Sequence, residues 1–110
     1  MECFIKHMDV LASQSANARL VIGQIIEICK SHKCVSQALL FGSRAKGTAM
    51  ERSDIDIALI GHEIDIEKLR DDVDKIETLL RIDLVDISKC GNGLLKSEVA
   101  KDGIPIYSKV

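Results

Sequence analysis

The spacing of hydrophobic residues changes several times along the chain, and each change marks a new element. From Ser13 to His32 they recur at helical spacing, with Ala18, Ile22, Ile25 and Cys29 on one stripe widened by Val21 and Ile26. Residues 36–41 (SQALLF) are a short apolar run closed by Gly42, which predicts a buried strand. Residues 43–47 have room for one helical turn before Gly47 breaks it. Over 54–60 (DIDIALI) polar and apolar positions alternate at first, the period of a strand. Residues 65–80 return to the helical period, with Leu69, Val73, Ile76 and Leu80 on one stripe. Asp65 is placed to cap that helix, and Glu67 suits its positive end. A third strand follows over 82–87 (IDLVDI), then a helix near 93–101 stopped by Gly103. A short edge strand over 105–107 is compatible with Pro105. Residues 1–12 fit a short helix or an ordered arm.

This order predicts a single domain over residues 1–110, of α/β class in its α+β form, with a small mixed sheet flanked by helices. Strand, helix and strand from 54 to 87 are long enough for a right-handed crossover between parallel neighbours.

Composition narrows the function. Of 110 residues 46% are hydrophobic, nearly all aliphatic, and the aromatics are Phe4, Phe41 and Tyr107. Base stacking on an aromatic platform is therefore not expected. A net charge of −2 argues against broad duplex binding, so no direct nucleic-acid contact is expected. Charge is nonetheless uneven: residues 42–52 carry Arg44, Lys46 and Arg52 against Glu51, whereas residues 62–86 are mainly acidic. A small basic loop in an acidic protein suits a small anion. Cys3, Cys29, Cys34 and Cys90 form no CxxC pair and read as reduced thiols, mostly buried. His7, His32 and His62 are scattered and read as surface residues. No signal pattern appears, and no apolar run nears the roughly 20 residues that span a membrane, so a cytoplasmic location is expected.

The candidate chemistry lies in LLFGSRAKGTAMERSDIDIALI, residues 39–60. In a strand, Asp54 and Asp56 point to one face while Ile55, Ile57 and Leu59 point to the other. Paired carboxylates repel unless a proton or a cation intervenes, and Mg²⁺ favours such oxygen donors together with substrate phosphates. On its own this pair reads better as a solvated strand edge. The turn Gly42-Ser43-Arg44 changes the balance, because backbone N–H groups and a hydroxyl at a strand-to-helix turn can hold a phosphate. Arg44 or Lys46 would add charge. If cradle and carboxylates belong to one site, Gly42 lies near Asp54, so the first two strands are antiparallel neighbours. Asp83 or Asp86 could bring a third carboxylate. They face opposite sides of their strand, and spacing does not choose between them.

Residues 41–59, FGSRAKGTAMERSDIDIAL, resemble the signature of the DNA polymerase beta-like nucleotidyltransferase superfamily: Gly-Ser, a basic residue, a spacer, then Ser-Asp-x-Asp and a hydrophobic residue. The small size and the later RIDLVDI make the chain most similar to the minimal, MNT-type members of bacteria and archaea, over residues 18–107. The resemblance implies a nucleotidyltransferase fold in which Gly42 and Ser43 hold the outer phosphates of a nucleoside triphosphate, assisted by Arg44. It implies that Asp54 and Asp56 bind two Mg²⁺ ions. Asp83, rather than Asp86, would be the third catalytic and metal-binding carboxylate, helping to activate the attacking hydroxyl. Lys46 stands where arginine is common, a conservative departure. The implied reaction moves a nucleoside monophosphate, AMP from ATP, onto a hydroxyl of a HEPN-domain partner, with this chain as the antitoxin of a toxin–antitoxin pair. The alternative is a non-catalytic nucleotide-binding subunit that inhibits or scaffolds its partner by binding alone. Haloacid-dehalogenase-like phosphatases are disfavoured because their acid pair follows a strand, whereas Asp54 opens one.

Overall fold

The computed structural model describes residues 14–89 and 91–109. The proposed N-terminal arm, with Cys3, Phe4 and His7, lies outside the described residues, as does Cys90. Helix α1 (Ala16–Ser31) is capped by Ser15, whose hydroxyl accepts from the Ala18 N–H at 3.2 Å. Strand β1 (Val35–Phe41) leads through Gly42 into the four-residue helix α2 (Ser43–Lys46). Strand β2 (Ile55–Gly61), helix α3 (Ile66–Asp74) and strand β3 (Ile82–Asp86) follow. Helix α4 (Gly93–Asp102) and strand β4 (Ile104–Ser108) complete the described chain.

The four strands form one mixed sheet in the order β3-β2-β1-β4. β1 pairs antiparallel with β2 and β4, while β2 and β3 are parallel, which is the arrangement a shared site at Gly42 and Asp54 requires. Alternation along β2 divides the interior. Ile55, Ile57 and Leu59 are wholly buried with Ile22, Ile25, Leu69 and Val73, so α1 and α3 cover one face. Ala58 points the other way and is buried with Phe41 and Val99, with Val85 and Leu95 packed beside them. Helix α4 therefore covers the second face, and the sheet is the middle of three layers. Pro105 is tolerated because β4 is an edge strand whose pairing register shifts between Ala38 and Leu39.

Helix α3 is shorter than its hydrophobic stripe suggests. It ends at Asp74, where the Lys75 N–H turns to the Asp72 and Val73 carbonyls. Beyond it the Thr78 hydroxyl accepts from the Leu80 N–H at 3.0 Å, a local bond that competes with helix. The sheet supplies the larger reason. Arg81 must lie beside β2, where its carbonyl accepts from the Ile55 N–H at 2.8 Å, and residues 77–81 are spent reaching it. The stripe still works: Leu69, Val73 and Ile76 are buried, and Leu80 packs on the core from the loop. His32 also departs from expectation. Its side chain is 11% exposed and its Nε2 is 2.7 Å from Asp72 Oδ2, tying the end of α1 to α3. That hydrogen bond holds the Asp72 carboxyl below the ordinary carboxylate range. Of the described thiols, Cys34 is exposed and Cys29 is buried, its pKa pushed up to about 11 by burial, so it stays protonated.

One buried cation organises the loop between α2 and β2. Arg44 is only 2% exposed. Its Nε and Nη2 donate to the Ser53 carbonyl at 3.1 and 2.7 Å, Nη2 also donates to the Glu51 carbonyl at 3.0 Å, and Nη1 donates to Gln14 Oε1 at 3.0 Å. The Gln14 amide in turn donates to the Arg44 carbonyl at 3.1 Å. Burial pulls the Arg44 pKa down from its ordinary value, and the nearby Asp54 charge opposes that fall. The guanidinium thus clamps the peptide just before Asp54. Replacing Arg44 by alanine leaves these carbonyls without their charged donor and is expected to cost about 2–4 kcal/mol of stability, measured by the denaturation midpoint in urea. A loss below about 0.5 kcal/mol, the size of an ordinary surface substitution, would show that water replaces the clamp.

Candidate active site

Register brings the sequence-predicted carboxylates together. Phe41 of β1 stands opposite Asp56 of β2, and Asp56 is in parallel register with Asp83 of β3. The next inward pair on that face is Ala58 and Val85, which belong to the α4 layer. Asp56 and Asp83 therefore lie on the α4 face, one step beyond the residues that α4 shelters. Asp54 is exposed and lies immediately before β2, rather than opening the strand. Asp83 also contacts Arg81, whose Nε is 3.3 Å from its Oδ1. Asp86 is elsewhere: it pairs with Leu59 in register, and its carboxylate accepts from the Ser88 N–H at 3.1 Å and from the Ser88 hydroxyl. Asp86 shapes the turn after β3, and the parallel register, which spacing alone could not supply, puts Asp83 beside Asp56.

The turn after β1 is built for close approach. Gly42 has φ 74° and ψ −155°, a region that is essentially glycine-only. A Cβ at this position would also run into the Asp56 carboxylate. Backbone and carboxylate can therefore be neighbours only because residue 42 has no side chain. The N–H groups of Ser43 and Arg44 fall in the first turn of α2, ahead of intrahelical partners, and the Ser43 hydroxyl is beside them. Arg44 does not join this rim. Its side chain is turned inward to Gln14, Glu51 and Ser53, so it supports the loop instead of presenting its charge to a phosphate. Lys46 is exposed, and its Nζ is 3.3 Å from Glu98 Oε1 on α4. Glu98 escaped the sequence reading, since one acid on a helix of mixed polarity carries no signal before α4 is docked.

Electrostatics single out Asp56. Burial raises its pKa above the ordinary carboxylate value, and the charges of Asp83 and Asp54, a hydrogen bond with Asp83 and the charge of Glu98 raise it further. A folded-state pKa above the unfolded value means that this group favours folding at low pH. The benefit is lost as pH rises through the folded pKa. Near neutrality the cluster thus opposes folding unless a positive charge joins it. The donor set, all carboxylate oxygens beside a phosphate-sized turn, suits a hard divalent cation. As placed, no three histidine, cysteine or acidic side chains among the described residues form a group able to hold a metal ion. Asp56 and Asp83 are paired through a hydrogen bond, whereas Asp54 is exposed.

Two hollows among the described residues lie apart from these carboxylates. One of about 540 Å³, mostly apolar, lies between α1 and α3 and includes Leu20, Gly23, Ile28 and Ile76. Another, of about 480 Å³, adjoins the α2 loop at Gln14, Arg44, Gly47 and Glu51. Asp54 is exposed, whereas Asp56 and Asp83 are partly buried. No helix among the described residues is long and apolar enough to cross a membrane.

Comparisons with known proteins bear on the fold and the family. A chain of a toxin–antitoxin crystal structure with AMP-PNP is similar at 26% identity and a TM-score of 0.61, over 80% of this chain and 73% of that one. A nucleotidyltransferase structure from Sulfolobus solfataricus matches in fold at 18% identity and a TM-score of 0.57, over 94% and 88% of the two chains. So does a chain of a Shewanella oneidensis complex between a tri-AMPylated HEPN toxin and an MNT antitoxin, at 23% identity and a TM-score of 0.57, over 83% and 72%. No curated protein sequence matches significantly. The family model described as "Polymerase beta, Nucleotidyltransferase" matches residues 23–110, which include every described strand, the Gly-Ser turn and Asp54, Asp56 and Asp83, and the chain belongs to that nucleotidyltransferase family.

Proposed function

We propose that this nucleotidyltransferase moves AMP from ATP onto a hydroxyl side chain of a HEPN-domain partner, and that it acts as the antitoxin of a cytoplasmic toxin–antitoxin pair. The observation that carries the reading is the packing of Gly42 directly against Asp56, which is itself in register with Asp83. A phosphate-holding turn and a cation-binding carboxylate pair then share one wall. Complexes similar in structure, one with AMP-PNP and one with a tri-AMPylated HEPN toxin, support the choice of nucleotide and partner.

In this mechanism the Ser43 and Arg44 N–H groups and the Ser43 hydroxyl grip the outer phosphates through the vacant donors of the helix start. Asp54, Asp56 and Asp83 would hold divalent cations, which the superfamily generally uses; we assign two Mg²⁺ ions. Bound there, they would lower the pKa of the acceptor hydroxyl and neutralise charge on the phosphates. Asp83, on the outer strand of the cluster and 38% exposed, faces the incoming hydroxyl and orients it. The acceptor hydroxyl gives up its proton toward Asp83 as its oxygen bonds to the α-phosphorus, the bond from that phosphorus to the α–β bridging oxygen breaks, and pyrophosphate departs. Clamping by Arg44 keeps Asp54 and the turn in fixed relation, so positioning does not depend on a loose loop.

Co-expression with the partner and intact-mass spectrometry test the reaction. The wild-type pair is expected to show AMP-sized additions on the partner, and Asp54→Asn with Asp56→Asn is expected to remove them. A partner that stays unmodified yet is inhibited equally well by the double variant would establish the binding-only role instead. A second comparison isolates Asp83. Asp83→Asn should slow transfer by about 100-fold or more while triphosphate still binds through the remaining pair. Asp86→Asn should leave transfer intact and cost about 0.5–1.5 kcal/mol of stability through its weakened turn. Single-turnover rates and urea titrations of both variants decide the assignment, and the reverse ranking would refute it.

A further inference from the structure

Lys46 ends the short helix that follows the Gly-Ser turn, and Glu98 projects from α4, the helix covering the same sheet face. Their side chains meet at 3.3 Å across a separation of 52 residues. Both are partly open to solvent, at 44% and 36% exposure. An ion pair so exposed is weak and readily exchanged. A phosphate oxygen bearing more charge is the stronger partner for an ammonium group. Of the two cations in α2, Arg44 is committed to Gln14, Glu51 and Ser53. Lys46 is the one whose partner can be exchanged.

We infer that Glu98 is a placeholder counter-ion: it holds Lys46 near the Gly-Ser turn, and an arriving triphosphate displaces it by taking the ammonium onto an outer phosphate oxygen. This rests on the nucleotidyltransferase reading above. Glu98 is then a positioning residue that acts through Lys46 and competes with the substrate. It weakens triphosphate affinity and leaves the bond-making step untouched. The device also discriminates between nucleotides, because a monophosphate has no outer phosphate to reach Lys46.

Calorimetric titration of AMP-PNP and of AMP in Mg²⁺ tests the exchange on wild type, Lys46→Gln, Glu98→Gln and the double variant. Lys46→Gln should weaken AMP-PNP binding several-fold, and Lys46→Arg should restore it. Glu98→Gln should tighten AMP-PNP binding by about two- to fivefold, the range of an exposed ion pair. That gain should vanish in the Lys46→Gln background, and AMP binding should respond to neither change. In turnover, Glu98→Gln should lower the KM for ATP with kcat unchanged. Equal tightening in both backgrounds would mean that Glu98 acts by general repulsion, and would overturn the exchange. Unchanged AMP-PNP binding by Lys46→Gln would also overturn it. In both cases wild-type binding stands, and so does the nucleotidyltransferase reading. A wild type that binds no triphosphate would overturn that reading together with this inference.

Discussion

The carboxyl of Asp56 is the group on which the rest of the site depends. It is confined by Gly42 at its side and by Asp83 in the neighbouring strand, and burial together with adjacent charge raises its pKa. Such a group is unfavourable in the isolated fold at neutral pH. Its cost has to be offset by the apolar layers on either side, which is why the residues flanking it, Ile55 and Ile57, are completely buried. A divalent cation would relieve that unfavourable field, because it brings the positive charge that the carboxylates lack.

Several unrelated features are consequences of holding that carboxyl in place. Gly42 takes a backbone conformation closed to other residues, so β1 can turn away within a single step. Arg44 fastens the loop to its own start by bonding the carbonyls of Glu51 and Ser53, which fixes the path by which the chain reaches Asp54. Helix α3 stops at Asp74 so that the following segment can bring Arg81 alongside Ile55 and set the β2–β3 register. That register decides that Asp83, and not Asp86, stands beside Asp56.

The two positive charges of the SRAK turn illustrate how position within a fold divides labour. Residues 44 and 46 lie two apart on a helical turn and therefore point in different directions. One is buried and acts on backbone carbonyls; the other is at the rim, paired with α4. The site thus has a partly exposed cation at its edge, held by a carboxylate of α4.

Much of this was legible from local pattern. The period of two in DIDIAL placed Ile55, Ile57 and Leu59 in the core, the helical stripe of Ala18, Ile22, Ile25 and Cys29 placed α1 against it, and Gly-Ser followed by Asp-x-Asp marked the chemistry. Periodicity reports which side of an element is buried, because burial of one face is what selects the residues along it. It carries no information about what lies across a sheet or under a helix. The stopping point of α3, the inward turn of Arg44, the choice of Asp83 over Asp86 and the pairing of Lys46 with Glu98 all depend on contacts between segments distant in the chain. Those contacts were settled only when the parallel β2–β3 register and the docking of α4 put particular side chains within reach, since a hydrogen bond or a Coulomb interaction is decided by distance in space.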